Sequence, residues 1–143
     1  MGFFGVSQID FDAVKKERDI AKFKLSCEEM KFNIAMMLGN MKMSTAKAAG
    51  FVDSVKIFYD AEMLETAKIL YAEIRPQVVE LITESQQINN QIVETVEGLG
   101  DCKQAFLNYC SEAKLSLTEA VNDINALNSA TVKLINSMDS VFC

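Results

Sequence analysis

From Phe106 to Val141 the chain repeats one spacing. Phe106, Cys110, Ala113, Leu117, Ala120, Ile124, Leu127, Thr131, Leu134, Met138 and Val141 follow at alternating steps of four and three residues. That period belongs to an α-helix, because strand side chains alternate with period 2. Sustained over five heptads, it is the a/d row of a helix that packs along its whole length against another helix. Asp101 stands just before it as an N-cap, with Gln104 at the return position of a capping box. The expected helix runs from about 102 to 141.

A second row reads Leu64, Ala67, Tyr71, Ile74, Val78, Leu81, Ser85, Ile88, Ile92, Thr95 and Leu99, and stops at Gly98 and Gly100. Pro76 lies inside it and is expected to kink the helix near residues 72–75. The helix need not end there, since the row keeps its phase on both sides. A third row reads Ile9, Ala13, Lys16, Ile20, Phe23, Cys27, Met30, Ile34, Met37 and Met41, with Ser7 or Asp10 as its cap. Gly39-Asn40 is a plausible stop, and Ser44 then caps the next helix. The phase runs on through Ala48, Phe51, Val55 and Phe58, so one helix crossing Gly39 is the alternative. Between Phe58 and Leu64 the phase slips by one residue, which suits a change of packing partner or local overwinding.

These rows predict an all-α fold: an elongated antiparallel bundle of three long amphipathic helices, or four, with coiled-coil-like heptad seams. The helices fall at about 8–38, 44–97 and 102–141 in one domain, 1–143. One proline and six glycines in 143 residues leave too few turn signals for a β-sandwich. At 1.5 Å per residue the last two helices are roughly 60–80 Å long. A bundle that thin leaves apolar surface outside unless another chain covers it. Val52, Ile57, Tyr59, Ile69, Leu70, Val79, Ile82, Val93, Leu107, Tyr109, Val121 and Ile135 lie off the rows. They either close an ordinary core or face a partner.

Charge and composition narrow the function classes. Net charge is −6, distributed as +2 over residues 1–50 and −8 over 51–143, with two arginines. An acidic chain poor in arginine is not a nucleic-acid binder, whose affinity comes from phosphate neutralisation. The first segment is instead expected to lie against the acidic remainder or to face a membrane. No histidine is present, so the commonest general base and any Ser–His or Cys–His pair are missing. Cys102 sits at a helix start, where a thiolate can be activated, but no base partner is visible. The glutamates Glu28, Glu29, Glu62, Glu65 and Glu73 lack the histidine that completes a bundle metal centre, and read as solvated face. Cys27, Cys102, Cys110 and Cys143 lack zinc-ligand spacing. Gly98-Leu99-Gly100 is a turn between helices, not a phosphate cradle. No enzyme, cofactor, metal or small-molecule substrate is expected.

No signal peptide and no spanning apolar run is visible, which predicts a cytoplasmic protein with reduced thiols, or one peripherally bound to membrane. The start Met-Gly-Phe-Phe-Gly-Val-Ser misses a myristoylation signal by one position, because Val6 stands where Ser or Thr is required. The expected role is structural: a scaffold that forms a homo-oligomer or docks a helical protein partner. Its predicted assembly seam is Phe106, Cys110, Leu117, Ile124, Leu127, Leu134 and Met138. Among Met30, Met36, Met37, Met41 and Met43, the off-row Met36 and Met43 are candidate partner contacts, since methionine adapts to varied surfaces. The alternative is membrane association, as a bilayer-binding, remodelling or pore-forming helical protein. It would use Phe3 and Phe4 ahead of Lys15, Arg18 and Lys22.

Overall fold

The computed structural model describes residues 8–143, with side chains from Lys15 onward. Among these residues no strand occurs, and the chain is all-α. It comprises α1 (Gln8–Asp60), α2 (Leu64–Glu97), α3 (Lys103–Glu112) and α4 (Leu117–Phe142), with one 3₁₀ turn at Gly100–Cys102. The chain divides after Ile34 into two units, and α1 begins in the first and ends in the second. Among the described residues, the first unit consists of the start of α1. The candidate caps Ser7 and Asp10 lie outside the described side chains.

Gly39-Asn40 does not end a helix. Leu38, Met41, Thr45, Ala48, Val52 and Val55 are buried at steps of three and four across it. Packing on both sides outweighs the cost of an interior glycine, about 1 kcal/mol. Ser44 is therefore a buried mid-helix residue and not a cap.

The first helix stops where the phase slips. Ala61 N–H bonds Ile57 O at 3.1 Å, Glu62 N–H bonds Tyr59 O at 3.0 Å and Met63 N–H bonds Phe58 O at 2.9 Å. Glu62 takes φ 62°. This is a Schellman closure with glutamate in the left-handed position usually held by glycine.

The expected helix 102–141 is two helices. Lys114 has φ 63°, and its N–H reaches Ser111 O at 3.0 Å while Leu115 N–H reaches Cys110 O at 2.8 Å, a second Schellman closure. Ser116 then caps α4, accepting from Glu119 N–H at 3.4 Å. Residues 116–119 have the Ser-x-x-Glu spacing of a capping box, of which the Ser116 half is formed, inside an unbroken apolar row where a heptad count does not register it. Asp101 does not cap α3: Cys102 holds that position and makes no side-chain cap bond. Gly98 and Gly100 do end α2, with Gly98 N–H on Glu94 O at 2.9 Å and Gly100 at φ 57°. The helix α2 continues through Pro76, whose position and Ala72 are both exposed, so water can serve the carbonyl freed there.

Holding Glu62 and Lys114 at positive φ costs roughly 1 kcal/mol each. Glu62→Gly or Lys114→Gly is therefore expected to raise stability by up to about 1 kcal/mol, the gain being trimmed by glycine's freer unfolded state. A lower urea midpoint in both variants would contradict these closures.

In the second unit α1, α2 and α4 share one core. Ala48, Val52 and Val55 pack with Ala67, Tyr71, Ile74, Val78 and Ile82, and with Ile135 and Met138. Two layers set the register. Thr45, Ser85 and Asn128 meet in one. Tyr59 and Tyr71 meet Phe142 in the other, with ring centroids 6.0 and 5.3 Å apart. The second layer lies two heptads from the first on every helix: 45 to 59, 85 to 71, 128 to 142. The helix α2 therefore runs against α1 and α4, which run alike.

Candidate interaction surface

The core closes with one offset from the expected seam. Phe106, Cys110, Leu117, Ile124 and Met138 are buried inside the chain, whereas Leu127 and Leu134 remain 43% and 37% exposed. Asn128, Thr131 and Ile135 are the buried residues of α4 at those levels. After Ile124 the buried row steps by four, then three, where the expected one stepped by three, then four. Most of the predicted assembly seam is thus intramolecular core. Leu134, Val141 and Tyr59 line a shallow groove of about 200 Å³ between α1 and α4.

The off-row hydrophobics divide. Val52, Ile82 and Ile135 are core; Ile57, Tyr59, Ile69, Val79 and Val93 are exposed. The methionines divide too. Met41 is fully buried, while Met36 and Met43 are 55% and 58% exposed. Met36, Gly39, Met43, Ala46, Gly50, Asp53 and Ile57 form a second row on α1, spaced three and four, and every member is exposed. Ile57 leaves 67% of its surface in water. A Cβ added at Gly39 or Gly50 would meet nothing within 4 Å. Neither glycine has positive φ. The fold of a single chain thus uses neither of them, yet each costs an interior helix about 1 kcal/mol relative to alanine. Lys42, Lys47 and Lys56 flank this row and are exposed.

Two polar clusters hold the helices that carry the row. Thr45 Oγ1 donates to Asn128 Oδ1 at 2.9 Å, and Asn128 Nδ2 donates to Ser85 Oγ at 2.8 Å. The Ser85 hydroxyl must then donate to Thr45 Oγ1, 2.8 Å away. The three buried side chains close a head-to-tail ring with one residue from each helix. The heptad rows contained Ser85. Thr45 and Asn128 fell outside them by one position, and that displacement is the signal that was missed.

Near the α1–α2 turn, Arg75 donates from Nε to Asp139 Oδ1 at 2.8 Å and from its terminal nitrogen to Oδ2 at 3.0 Å. The Tyr71 hydroxyl shares its proton between Ile135 O, at 3.1 Å, and Asp139 Oδ1. Hydrogen bonds from Arg75 and Tyr71 hold the Asp139 carboxyl down at about 2. Burial, then the hydrogen bond and charge of Asp139, push the Tyr71 phenol up to about 12. The Arg75 guanidinium is held more firmly protonated by the same carboxylate.

Lys15, Arg18 and Lys22 are exposed on the first unit, as are Ile20 and Phe23. Phe3 and Phe4 lie outside the described residues. Cys102 and Cys143 are exposed thiols, and Cys27 and Cys110 are buried. Among the described residues no group of His, Cys, Asp and Glu could hold a metal ion, and no helix is long and apolar enough to cross a membrane. No known protein family matches the chain, nor does any curated protein or solved structure.

Proposed function

We propose that this chain is a non-enzymatic interaction protein that docks a second helical surface on the outward face of α1. The carrying observation is the row from Met36 to Ile57: the large exposed apolar side chains Met36, Met43 and Ile57 are interspersed with Gly39, Ala46, Gly50 and Asp53, and a Cβ added at either glycine meets nothing within 4 Å. Small residues let a partner helix approach to about 8 Å, and flexible methionines on either side fit its side chains. The same reading explains why two glycines persist inside a 53-residue helix. The lysines beside the row favour a partner of acidic character.

A test that needs no identified partner uses an anionic apolar dye as a probe of the face. Wild type, diluted until it is monomeric, is expected to bind the dye, and Met36→Glu, Met43→Glu to lose most of that binding at unchanged helix content. Equal dye binding by both proteins would remove the docking face and the proposed function with it.

A further inference from the structure

Once the core of the second unit has closed, α2 also keeps an outward row. Ile69, Ala72, Pro76, Val79, Thr83, Gln86, Asn90 and Val93 follow at steps of three and four, and all are exposed. Along one flank stand Glu73, Glu80, Gln87 and Glu94, seven residues apart and exposed. The helix carries six glutamates against Lys68 and Arg75. The outward row of α1 is flanked by Lys42, Lys47 and Lys56.

We propose that the α1 face of one copy of this chain seats on the α2 face of a second copy, with the two outward rows in contact and the lysines against the glutamates. The proposal rests on the docking reading above and names its partner. Three features favour it. The first is charge: pairing α1 with α1 sets the flanking lysines against lysines, and pairing α2 with α2 sets the flanking glutamates against glutamates, so the mixed pairing is the most favourable of the three, with Asp53 the one acidic member of the α1 row. The second is size. Ile69 and Val79 stand out from smaller or polar neighbours, ten residues or about 15 Å apart along α2. The open positions Gly39 and Gly50 are eleven residues or about 16 Å apart along α1, so two branched side chains meet two gaps. The third is area, which fits a reversible contact: a strip from Met36 to Ile57 is about 32 Å long on a helix about 10 Å wide, roughly 300 Å² on each partner and about 600 Å² in total. That is below the ~1,200 Å² of stable specific interfaces, so the contact forms at high concentration and dissociates on dilution. Made once per pair, the contact is heterologous, leaves one free face of each kind and adds further copies as a ring or an open chain; repeated about a twofold axis, with α1 on α2 in both directions, it closes a dimer.

Light scattering on the reduced full chain tests this over a concentration series at low and high salt. Lys47 already borders a groove with Glu80 and Glu84 of its own chain, so the variants avoid those positions. One carries Lys42→Glu and Lys56→Glu, and the other Glu73→Lys and Glu94→Lys. Wild type is expected to gain mass with concentration and to fall back toward 15.9 kDa in high salt. Each variant alone, folded by circular dichroism, stays at the monomer mass. Their equimolar mixture regains the growth, because the lysine face of the second meets the glutamate-bearing face of the first. A wild type that is monomeric throughout overturns the proposal, and so does a mixture no heavier than its components. If the dye still distinguishes wild type from Met36→Glu, Met43→Glu in either case, the docking face stands and only the second copy is wrong. If the dye difference is absent too, the docking reading fails with it.

Discussion

Asn128→Ala lowers the stability of the second unit by about 3 kcal/mol, a fall of ~10 °C in melting temperature. Asn128 is 4% exposed, and its amide bonds two residues that are themselves buried, Thr45 and Ser85. Truncation leaves the Thr45 hydroxyl without its acceptor and the Ser85 hydroxyl without its donor. An orphaned buried group costs roughly 1–3 kcal/mol, and the vacated volume adds a cavity cost of similar order. The larger part of that loss is the cost of breaking the ring, not its net worth. The triple replacement Thr45→Val, Ser85→Ala, Asn128→Leu removes every polar atom together and is expected to restore stability to within about 1 kcal/mol of wild type. What the triple variant loses is one of the two layers that set the register, since three apolar helices can slide by a heptad with little change in burial, while the ring closes at one level only. Urea unfolding with near-ultraviolet circular dichroism separates the two contributions. A triple variant as unstable as Asn128→Ala, or one with wild-type near-ultraviolet signal and transition slope, would show that the ring does not specify the packing.

The helical class was legible because the apolar rows are long and no feature competes with them. Their ends were less legible. Gly39-Asn40 looks like a stop and is not, since Leu38, Met41 and Thr45 bury a continuous face through it. Two real stops carry no glycine: Glu62 and Lys114 take the left-handed conformation themselves. At Lys114 the apolar row does not change phase, so only the Ser116–Glu119 capping-box spacing marks the new helix. The choice between Leu127 and Asn128 shows a further limit. Hydrophobicity favours leucine at the core position, yet burying asparagine is cheaper than it looks once Thr45 and Ser85 supply its partners, and those partners lie 83 and 43 residues away in sequence. The proposed docking face was legible in part. Met36 and Met43 stood out by falling off their row. In sequence Gly39 fits either a helix stop or the interior of one long helix, and its open position on an exposed face follows only from the course of α1 in three dimensions.

Tyr71→Ala costs about 4 kcal/mol, and Tyr71→Phe costs about 2 kcal/mol and removes the alkaline limb of the stability profile. The ring of Tyr71 is 1% exposed and packs on Phe142 at 5.3 Å, so losing it opens a cavity beside the end of α4. Its hydroxyl serves Ile135 O and Asp139, and phenylalanine leaves both without that donor. The sign of the pH effect follows from which form the fold favours. Folding raises the phenol from 10.0 to about 12. The protonated form is thus the stabilised one: its contribution is complete below pH 10.0 and is lost as pH rises through about 12. Asp139 behaves oppositely, its carboxyl lowered from 3.8 to about 2 by Arg75 and Tyr71. Its contribution is complete above 3.8 and is lost as pH falls through about 2. The cluster therefore gives a plateau between those limits with a limb at each end. Tyr71→Phe flattens the alkaline limb and keeps a shallower acid one, because Arg75 still holds Asp139 through two hydrogen bonds. Asp139→Asn flattens the acid limb. Urea midpoints across the pH range, alongside phenolate absorbance, report both. If Tyr71 ionises near pH 10 while the helices remain intact, or if Tyr71→Phe keeps the alkaline loss, Tyr71 is not the group that ties α2 to the end of α4.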